Sequence, residues 1–227
     1  MKNILFTFLF LASIIGVFTG ILIQNKLLDY LFKPLIMISI GGYFLLNSGK
    51  LNKSVVRFAM IAFLFSLLGD SFLMFANGGN SYFIFGLASF LIAQIFYIFL
   101  FQKTIQLSGK ESFLTKNRIY LIPYFLYGAV VYSLLFVHLD FVLKIAVFIY
   151  ITAILCMSAM ALNRFKAVSL KSFYFVFSGS VLFLISDTLI AFDKFVTPVP
   201  NDRIFVMSTY IAAQFLIMKG LLKQFNQ

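Results

Sequence analysis

The chain has 227 residues, of which 62% are hydrophobic and only 11% carry a charged side chain. Soluble domains average about 25% charged residues, so this composition excludes a soluble enzyme and a disordered chain. The net charge of +11 would suit nucleic acid binding, but the basic residues lie in short segments between apolar runs, which argues against a nucleic acid partner.

Eight apolar runs have the length of transmembrane helices, about 20 residues for a hydrocarbon core about 30 Å thick. In chain order they cover residues 4–23, 31–46, 55–76, 82–101, 119–137, 141–162, 173–192 and 204–222. The first run is longer than the core of a signal peptide and no A-x-A site follows it, so we expect a retained helix. The sequence predicts an all-α polytopic membrane protein with one eight-helix domain over residues 1–227.

The 18 Lys and Arg residues fall unevenly on the two sides of the predicted membrane. Thirteen lie on the side of both termini: Lys2, Lys50, Lys53, Arg57, Lys103, Lys110, Lys116, Arg118, Arg164, Lys166, Lys171, Lys219 and Lys223. The other side has Lys26, Lys33, Lys144, Lys194 and Arg203. The positive-inside rule therefore predicts cytoplasmic termini, and the basic side faces anionic lipid. A composition rich in Phe, Ile, Lys and Asn indicates a bacterial inner membrane protein.

Asp70 and Asp187 each lie inside an apolar run. A carboxylate at bilayer depth costs about 2.5–3.5 kcal/mol on insertion scales, so it usually faces a bundle interior or a wet cavity and marks function. At 1.5 Å per residue, Asp70 lies about 22 Å and Asp187 about 21 Å from the cytoplasmic ends of the third and seventh runs. Two carboxylates at matched depth predict a shared catalytic site.

Six further polar side chains are predicted to lie near that depth. They are Lys33 at the outer end of the second helix, Gln94 and Tyr97 on the fourth, Asp193 at the end of the seventh, and Tyr210 and Gln214 one turn apart on the eighth. We expect them to orient water or bind the substrate. Hydrogen bonds between helices are the simpler explanation for the Gln and Tyr residues, and a structural Asp–Lys pair is the simpler one for the aspartates.

The scarcity of His and Cys excludes several kinds of site. Cys156 lies in an apolar run, where we expect it to pack in the interior, and His138 lies at an outer turn. A zinc site of His and Cys ligands, a Ser-His-Asp hydrolase and an intrachain disulfide are thus excluded. With no glycine-rich phosphate loop either, we expect neither a metal nor an organic cofactor, and catalysis by carboxylates.

The two halves of the chain share a weak pattern. The pairs are Asp70-Ser71 with Asp187-Thr188, Phe75 with Phe192, and Ala93-Gln94 with Ala213-Gln214. A parallel repeat of four plus four helices would bring the two aspartates together near a pseudo-symmetry axis.

Six segments in family order resemble the YhhN-like lysoplasmalogenases. They are residues 32–35 (FKPL), 66–70 (SLLGD), 86–97, 182–187 (LFLISD), 191–195 (AFDKF) and 209–217 (TYIAAQFLI). The segment from residue 186 to residue 217 is the most specific. The family often has His where this chain has Gln94, so an amide that does not titrate replaces an imidazole at that position.

The resemblance implies an eight-helix membrane hydrolase that cleaves the vinyl-ether bond of lysoplasmalogens to a fatty aldehyde and a glycerophospho-headgroup. A vinyl ether hydrolyses by protonation at carbon, which needs one protonated acid and one ionised carboxylate, the arrangement of other paired-carboxylate enzymes. We expect Asp70 and Asp187 to form this pair without a fixed assignment of acid and base. Lys33 would either favour ionisation of one aspartate or bind the phosphate of the lysophospholipid.

Three alternatives stay open. An intramembrane aspartyl protease also uses two aspartates, but Gly69-Asp70 lacks the G-x-G-D context of that class. A proton- or cation-coupled transporter fits buried carboxylates and a repeat, although Pro34 has no counterpart near Lys144. A structural membrane protein without chemistry does not explain the matched depth.

Overall fold

A computed structural model describes residues 2–76 and 80–224. Eight of its helices are long and apolar enough to cross a membrane, which confirms the predicted all-α, eight-span architecture. They are α1 (Lys2–Leu22), α2 (Lys26–Asn47), α3 (Lys53–Met74), α4 (Asn80–Ser108), α6 (Ile122–Phe136), α7 (Phe141–Asn163), α8 (Leu170–Phe195) and α9 (Asp202–Leu222). A four-residue helix, α5 (Phe113–Lys116), and a 3-10 turn (Arg118–Leu121) precede α6.

Two helices depart from their predicted boundaries by five or more residues. Helix α2 begins five residues before the predicted start, because the side chain of Asn25 accepts a hydrogen bond from Leu27 N (3.0 Å) and caps an earlier first turn. Lys33 and Pro34 therefore lie within α2 and not near its start. Helix α4 continues to Ser108, since a helix needs apolar side chains only where lipid surrounds it.

The chain divides into two compact units, Met1–Leu100 and Phe101–Gln227, with the boundary inside α4. The first unit has a core of apolar side chains from α2, α3 and α4, and these include Ile36, Ile40, Phe44, Phe63 and Tyr97. Side chains of α8 and α9 fill one part of the core of the second unit, among them Val176, Phe183 and Ile217. Each unit has its own core, and the predicted repeat and single domain stay predictions.

The outer surface of both units is apolar. Phe8 is 70% exposed on α1, and Phe125 and Phe141 are each 76% exposed on α6 and α7. Large apolar side chains on the outside together with polar ones inside are the arrangement that a lipid solvent favours. The molecule is therefore an integral membrane protein.

Helices α8 and α9 pack with their backbones in direct contact. A Cβ atom added to Gly179 would lie 2.8 Å from the carbonyl oxygen of Ala213 and 3.1 Å from the nitrogen of Ile217. Only glycine permits this approach, which is how small residues bring membrane helices together. The close packing fixes the position of α8, which carries Asp187, against α9.

Candidate functional site

Asp70 is a buried carboxylate of the first unit, where Asp29 on α2 is buried as well. Asp70 lies near the end of α3 with 2% of its surface exposed, and its Oδ1 lies 3.8 Å from Nζ of Lys33 on α2. The Lys33 side chain is 19% exposed, so the cation lies between the interior and the surface. The structure thus brings Lys33 into contact with Asp70, a pairing that the sequence analysis did not specify.

The residue before Asp70 allows α4 to pack closely against α3. A Cβ atom on Gly69 would lie 2.7 Å from the ring of Phe90, so a larger residue here would push the ring away. Gln94 and Tyr97 follow on α4, and both are fully buried. The Tyr97 ring meets the ring of Phe63 edge to face with centroids 6.3 Å apart. Both candidate residues therefore lie in the interior of their unit.

Asp187 is a half-buried carboxylate of the second unit, and its Oδ2 accepts a hydrogen bond of 2.5 Å from the hydroxyl of Tyr150 on α7. This short hydrogen bond fixes the direction in which the carboxyl group points. The sequence analysis did not select Tyr150. A tyrosine in an apolar run, near the middle of the predicted sixth helix, was the available signal.

The neighbour of Asp187 has a tyrosine partner of its own. The hydroxyls of Tyr127 on α6 and Thr188 on α8 are 2.9 Å apart, and the Thr188 hydroxyl also donates to Leu184 O (2.8 Å). Two tyrosines from two helices thus contact consecutive residues of α8. This polar contact among apolar helices fixes the rotation of α8 against α6 and α7.

The remaining candidates of the second unit lie in two places, on α9 and at the end of α8. Tyr210 and Gln214 are buried on α9, and the Tyr210 ring meets Phe183 edge to face with centroids 5.7 Å apart. Asp193 lies in the last turn of α8, where its Oδ1 accepts a hydrogen bond of 3.0 Å from Val199 N. That bond closes the turn between α8 and α9, which gives Asp193 a structural role of its own.

Asp70 and Asp187 occupy equivalent positions in their helices. Each lies 17 residues after the first residue of its helix, Lys53 or Leu170, which is about 25 Å along the axis. The predicted match in register is therefore present in the observed helices. The two residues belong to different units, and their action as a pair stays a prediction.

The sequence analysis did not predict that Arg164 is buried. It was assigned to the basic side facing lipid, but it is fully buried at the end of α7. Its Nε donates to Thr104 Oγ1 (2.9 Å) and its Nη2 to Ser172 Oγ (3.0 Å), and the guanidinium lies 5.5 Å from the centroid of the Phe101 ring. Burial lowers the pKa of this guanidinium to about 9, so it is protonated at neutral pH.

No carboxylate among the described residues forms an ion pair with Arg164, and its Nη1 has no hydrogen-bond partner there. The positive charge is instead located at the carboxyl end of α7, where helix carbonyl groups carry partial negative charge. The guanidinium thereby joins the end of α4, the end of α7 and the start of α8.

The prediction for Cys156 was wrong. Its side chain is exposed on the outer face of α7 and does not pack in the interior. An apolar run in a membrane helix has a lipid-facing side as well as a buried side, and composition does not distinguish them. His138 lies at the turn after α6 as predicted, where its Nδ1 contacts Leu134 O at 3.2 Å.

Eight helices that are long and apolar enough to cross a membrane define the chain as a polytopic membrane protein, and Asp70 and Asp187 are candidate catalytic groups within those helices. The YhhN family matches residues 28–221, a region that includes both aspartates, and the chain belongs to this family. Its relatives include "Lysoplasmalogenase TMEM86A" of Bos taurus and of Homo sapiens, each 29% identical over 160 residues. "Lysoplasmalogenase TMEM86B" of Sus scrofa is 31% identical over 156 residues.

These alignments cover 69% of the chain in all three cases. They cover 62% of the cow and human relatives and 59% of the pig relative, so the chain matches about three fifths of their length. No solved structure matches the chain.

Proposed function

We propose that this protein is a membrane hydrolase that cleaves the vinyl-ether bond of lysoplasmalogens, with Asp70 and Asp187 as the acid and the base. The observation that carries the proposal is the family match over residues 28–221, together with relatives named lysoplasmalogenase. The site chemistry agrees with it, because two intramembrane carboxylates supply the groups that hydrolysis of a vinyl ether needs.

The reaction has three steps. One carboxylic acid gives its proton to the vinyl carbon farther from the ether oxygen, and the carbon next to the oxygen becomes part of an oxocarbenium ion. The second carboxylate stabilises this cation and then takes a proton from the water that attacks it. In the resulting hemiacetal the carbon–oxygen bond to the glycerol breaks as the second carboxyl group gives its proton to the glycerol oxygen and the first carboxylate takes the proton of the hemiacetal hydroxyl. A fatty aldehyde and a free glycerol hydroxyl are released, and both carboxyl groups return to their starting states.

The contacts of the two aspartates support separate tasks for their partners. Tyr150 donates to Asp187 Oδ2 and is a positioning residue, because it fixes the orientation of the carboxyl group. Lys33 lies 3.8 Å from Asp70, where its cation either favours the carboxylate form or binds the phosphate of the substrate. The other candidates orient the water or the headgroup of the substrate. They are Gln94, Tyr97, Asp193, Tyr210 and Gln214.

The proposal includes an orientation. The excess of Lys and Arg on the side of the termini supports cytoplasmic termini in a bacterial inner membrane, with both aspartates in the outer half of the bilayer. The exposed aromatic and aliphatic side chains of the helices support lateral entry of a single-chain lipid from the bilayer.

Product analysis by mass spectrometry tests the function. The purified protein in lipid nanodiscs is given matched lysolipids with a vinyl-ether, an alkyl-ether or an ester bond, and aldehyde and glycerophospho-headgroup are measured. We expect both products from the vinyl ether alone. Hydrolysis of the ester but not of the vinyl ether would overturn the proposed vinyl-ether substrate, while the protein would still be a hydrolase.

The same preparation separates the alternatives. Proton flux into liposomes that depends on substrate and gives no product would support the transporter, and cleavage of a transmembrane reporter peptide would support the protease. Either result, without aldehyde release, would overturn the proposed function.

A further inference from the structure

Three exposed aromatic rings meet at one end of the first unit. Tyr30 lies in α2, Phe75 caps the end of α3, and Tyr82 lies in the first turn of α4. The rings of Tyr30 and Phe75 are stacked with centroids 5.1 Å apart, and those of Phe75 and Tyr82 are 6.0 Å apart. They are 39%, 47% and 43% exposed, respectively. We call Tyr30, Phe75 and Tyr82 the ring cluster.

The ring cluster lies closer than Lys33 and Asp70 to the ends of α2 and α3. Tyr30 precedes Lys33 by three residues, so the two side chains share one face of α2. Phe75 follows Asp70 by five residues, which is about 7.5 Å further along the helix direction of α3. From the interior of the unit outward, a carboxylate and an ammonium group come first, and a partly exposed aromatic surface follows.

This order matches the order of groups in a zwitterionic lysophospholipid. The glycerol bears the ether bond, the phosphate follows, and the ammonium group of choline or ethanolamine lies beyond the phosphate. We propose that the ring cluster binds this ammonium group by cation–π contact, with the phosphate beside Lys33 and the glycerol ether near Asp70. The inference rests on the proposed function and assigns a binding site to the cationic end of the headgroup.

The chemistry favours a cation over other ligands. Aromatic faces carry negative electrostatic potential, and quaternary ammonium groups are recognised by clustered rings. The Lys33 cation would repel a bare ammonium group, so a phosphate between them is needed, and a zwitterionic headgroup provides it. A single interfacial tyrosine would only anchor a helix, whereas three rings from three helices in mutual contact form a continuous surface.

Binding of uncleavable ligands tests the ring cluster without catalysis. The first ligand is a 1-O-alkyl lysophosphocholine. The second carries a 3,3-dimethylbutyl group in place of choline, which keeps the shape and removes the positive charge. For the wild type in nanodiscs we expect the choline ligand to bind about tenfold more tightly than its neutral analogue.

Variants then assign that preference to the rings. The double variant Phe75→Leu/Tyr82→Leu keeps apolar bulk and should lose the tenfold preference, while Tyr82→Phe should keep it. Phe85→Leu is the matched control, because Phe85 is 53% exposed on α4 and contacts Phe72 outside the ring cluster. If the double variant does not fold by thermal unfolding, the single variant Tyr82→Leu replaces it.

Two results would overturn the inference: no preference for choline in the wild type, or equal weakening of both ligands by the leucine variants. Aldehyde release is measured separately from a vinyl-ether lysophosphocholine. A ring-dependent preference for choline without aldehyde release would overturn the proposed hydrolysis and retain the headgroup site. Aldehyde release without a ring-dependent preference for choline would retain the proposed hydrolysis and overturn the headgroup site.

Discussion

Asp70 and Asp187 occupy the same position in their helices but are held by different chemistry. Asp70 is buried at 2% exposure and lies 3.8 Å from a lysine, whereas Asp187 is half-buried and accepts a short hydrogen bond from a neutral tyrosine. A cation acts through distance and charge, while a hydroxyl acts through direction. The two environments therefore predict different responses to substitution.

The largest expected effect is loss of the carboxylates themselves. Under the proposed function, Asp70→Asn and Asp187→Asn should each lower aldehyde release by about a thousandfold or more, because an amide neither donates nor accepts the catalytic proton. The measurement is single-turnover release of aldehyde from a vinyl-ether lysolipid in nanodiscs.

Asp140→Asn is the matched control for those variants. Asp140 caps α7 by accepting a hydrogen bond of 2.9 Å from Leu143 N, and asparagine caps helices equally well. This variant should keep wild-type activity and stability. Wild-type activity in either Asp70→Asn or Asp187→Asn would show that the paired carboxylates do not perform the reaction.

An intermediate effect is expected at the tyrosine. Tyr150→Phe removes the hydrogen bond to Asp187, and a polar partner left without its hydrogen bond costs about 1–3 kcal/mol, so kcat should fall about five- to a hundredfold with KM unchanged. Steady-state kinetics measure both constants.

Tyr127→Phe provides the comparison for Tyr150→Phe. It removes a hydroxyl contact of 2.9 Å to Thr188, the next residue of the same helix, and should change kcat less than about threefold. Equal losses of kcat in the two variants would mean that both hydroxyls only support packing, and Tyr150 would not be a positioning residue.

The smallest effect is expected for the lysine. The Lys33–Asp70 contact is long and Lys33 is partly exposed, so a double-mutant cycle of Lys33→Met and Asp70→Asn should give a coupling of about 0.2–1 kcal/mol in unfolding free energy. Thermal or denaturant unfolding in detergent measures it. A coupling above about 3 kcal/mol would indicate a tight buried ion pair and a structural role for Asp70.

The sequence was sufficient to predict the number of membrane-spanning helices and to find the two carboxylates inside them. A run of about 20 apolar residues is a strong signal, and an aspartate inside one is rare because it is costly, so Asp70 and Asp187 could be found without a structure. Lys33 could be assigned to the same depth as the aspartates, whereas its contact with Asp70 required the structure. Position along the membrane normal follows from residue counting alone.

The rotation of a helix about its own axis cannot be obtained by counting residues. The wrong predictions concern this rotation. Cys156 faces outward and Arg164 faces inward, and nothing in their local sequence distinguishes these orientations. Tyr150 was missed for the same reason, since tyrosine is common in membrane helices and its partner is 37 residues away. Helix ends such as that of α2 depend on capping residues that hydropathy does not register.

The enclosed Arg164 has a consequence for assembly. The guanidinium gives up its water for hydrogen bonds to Thr104 and Ser172, and its desolvation without these partners would cost free energy. We therefore expect the ends of α4, α7 and α8 to dock together, with the arginine hydrated until they do.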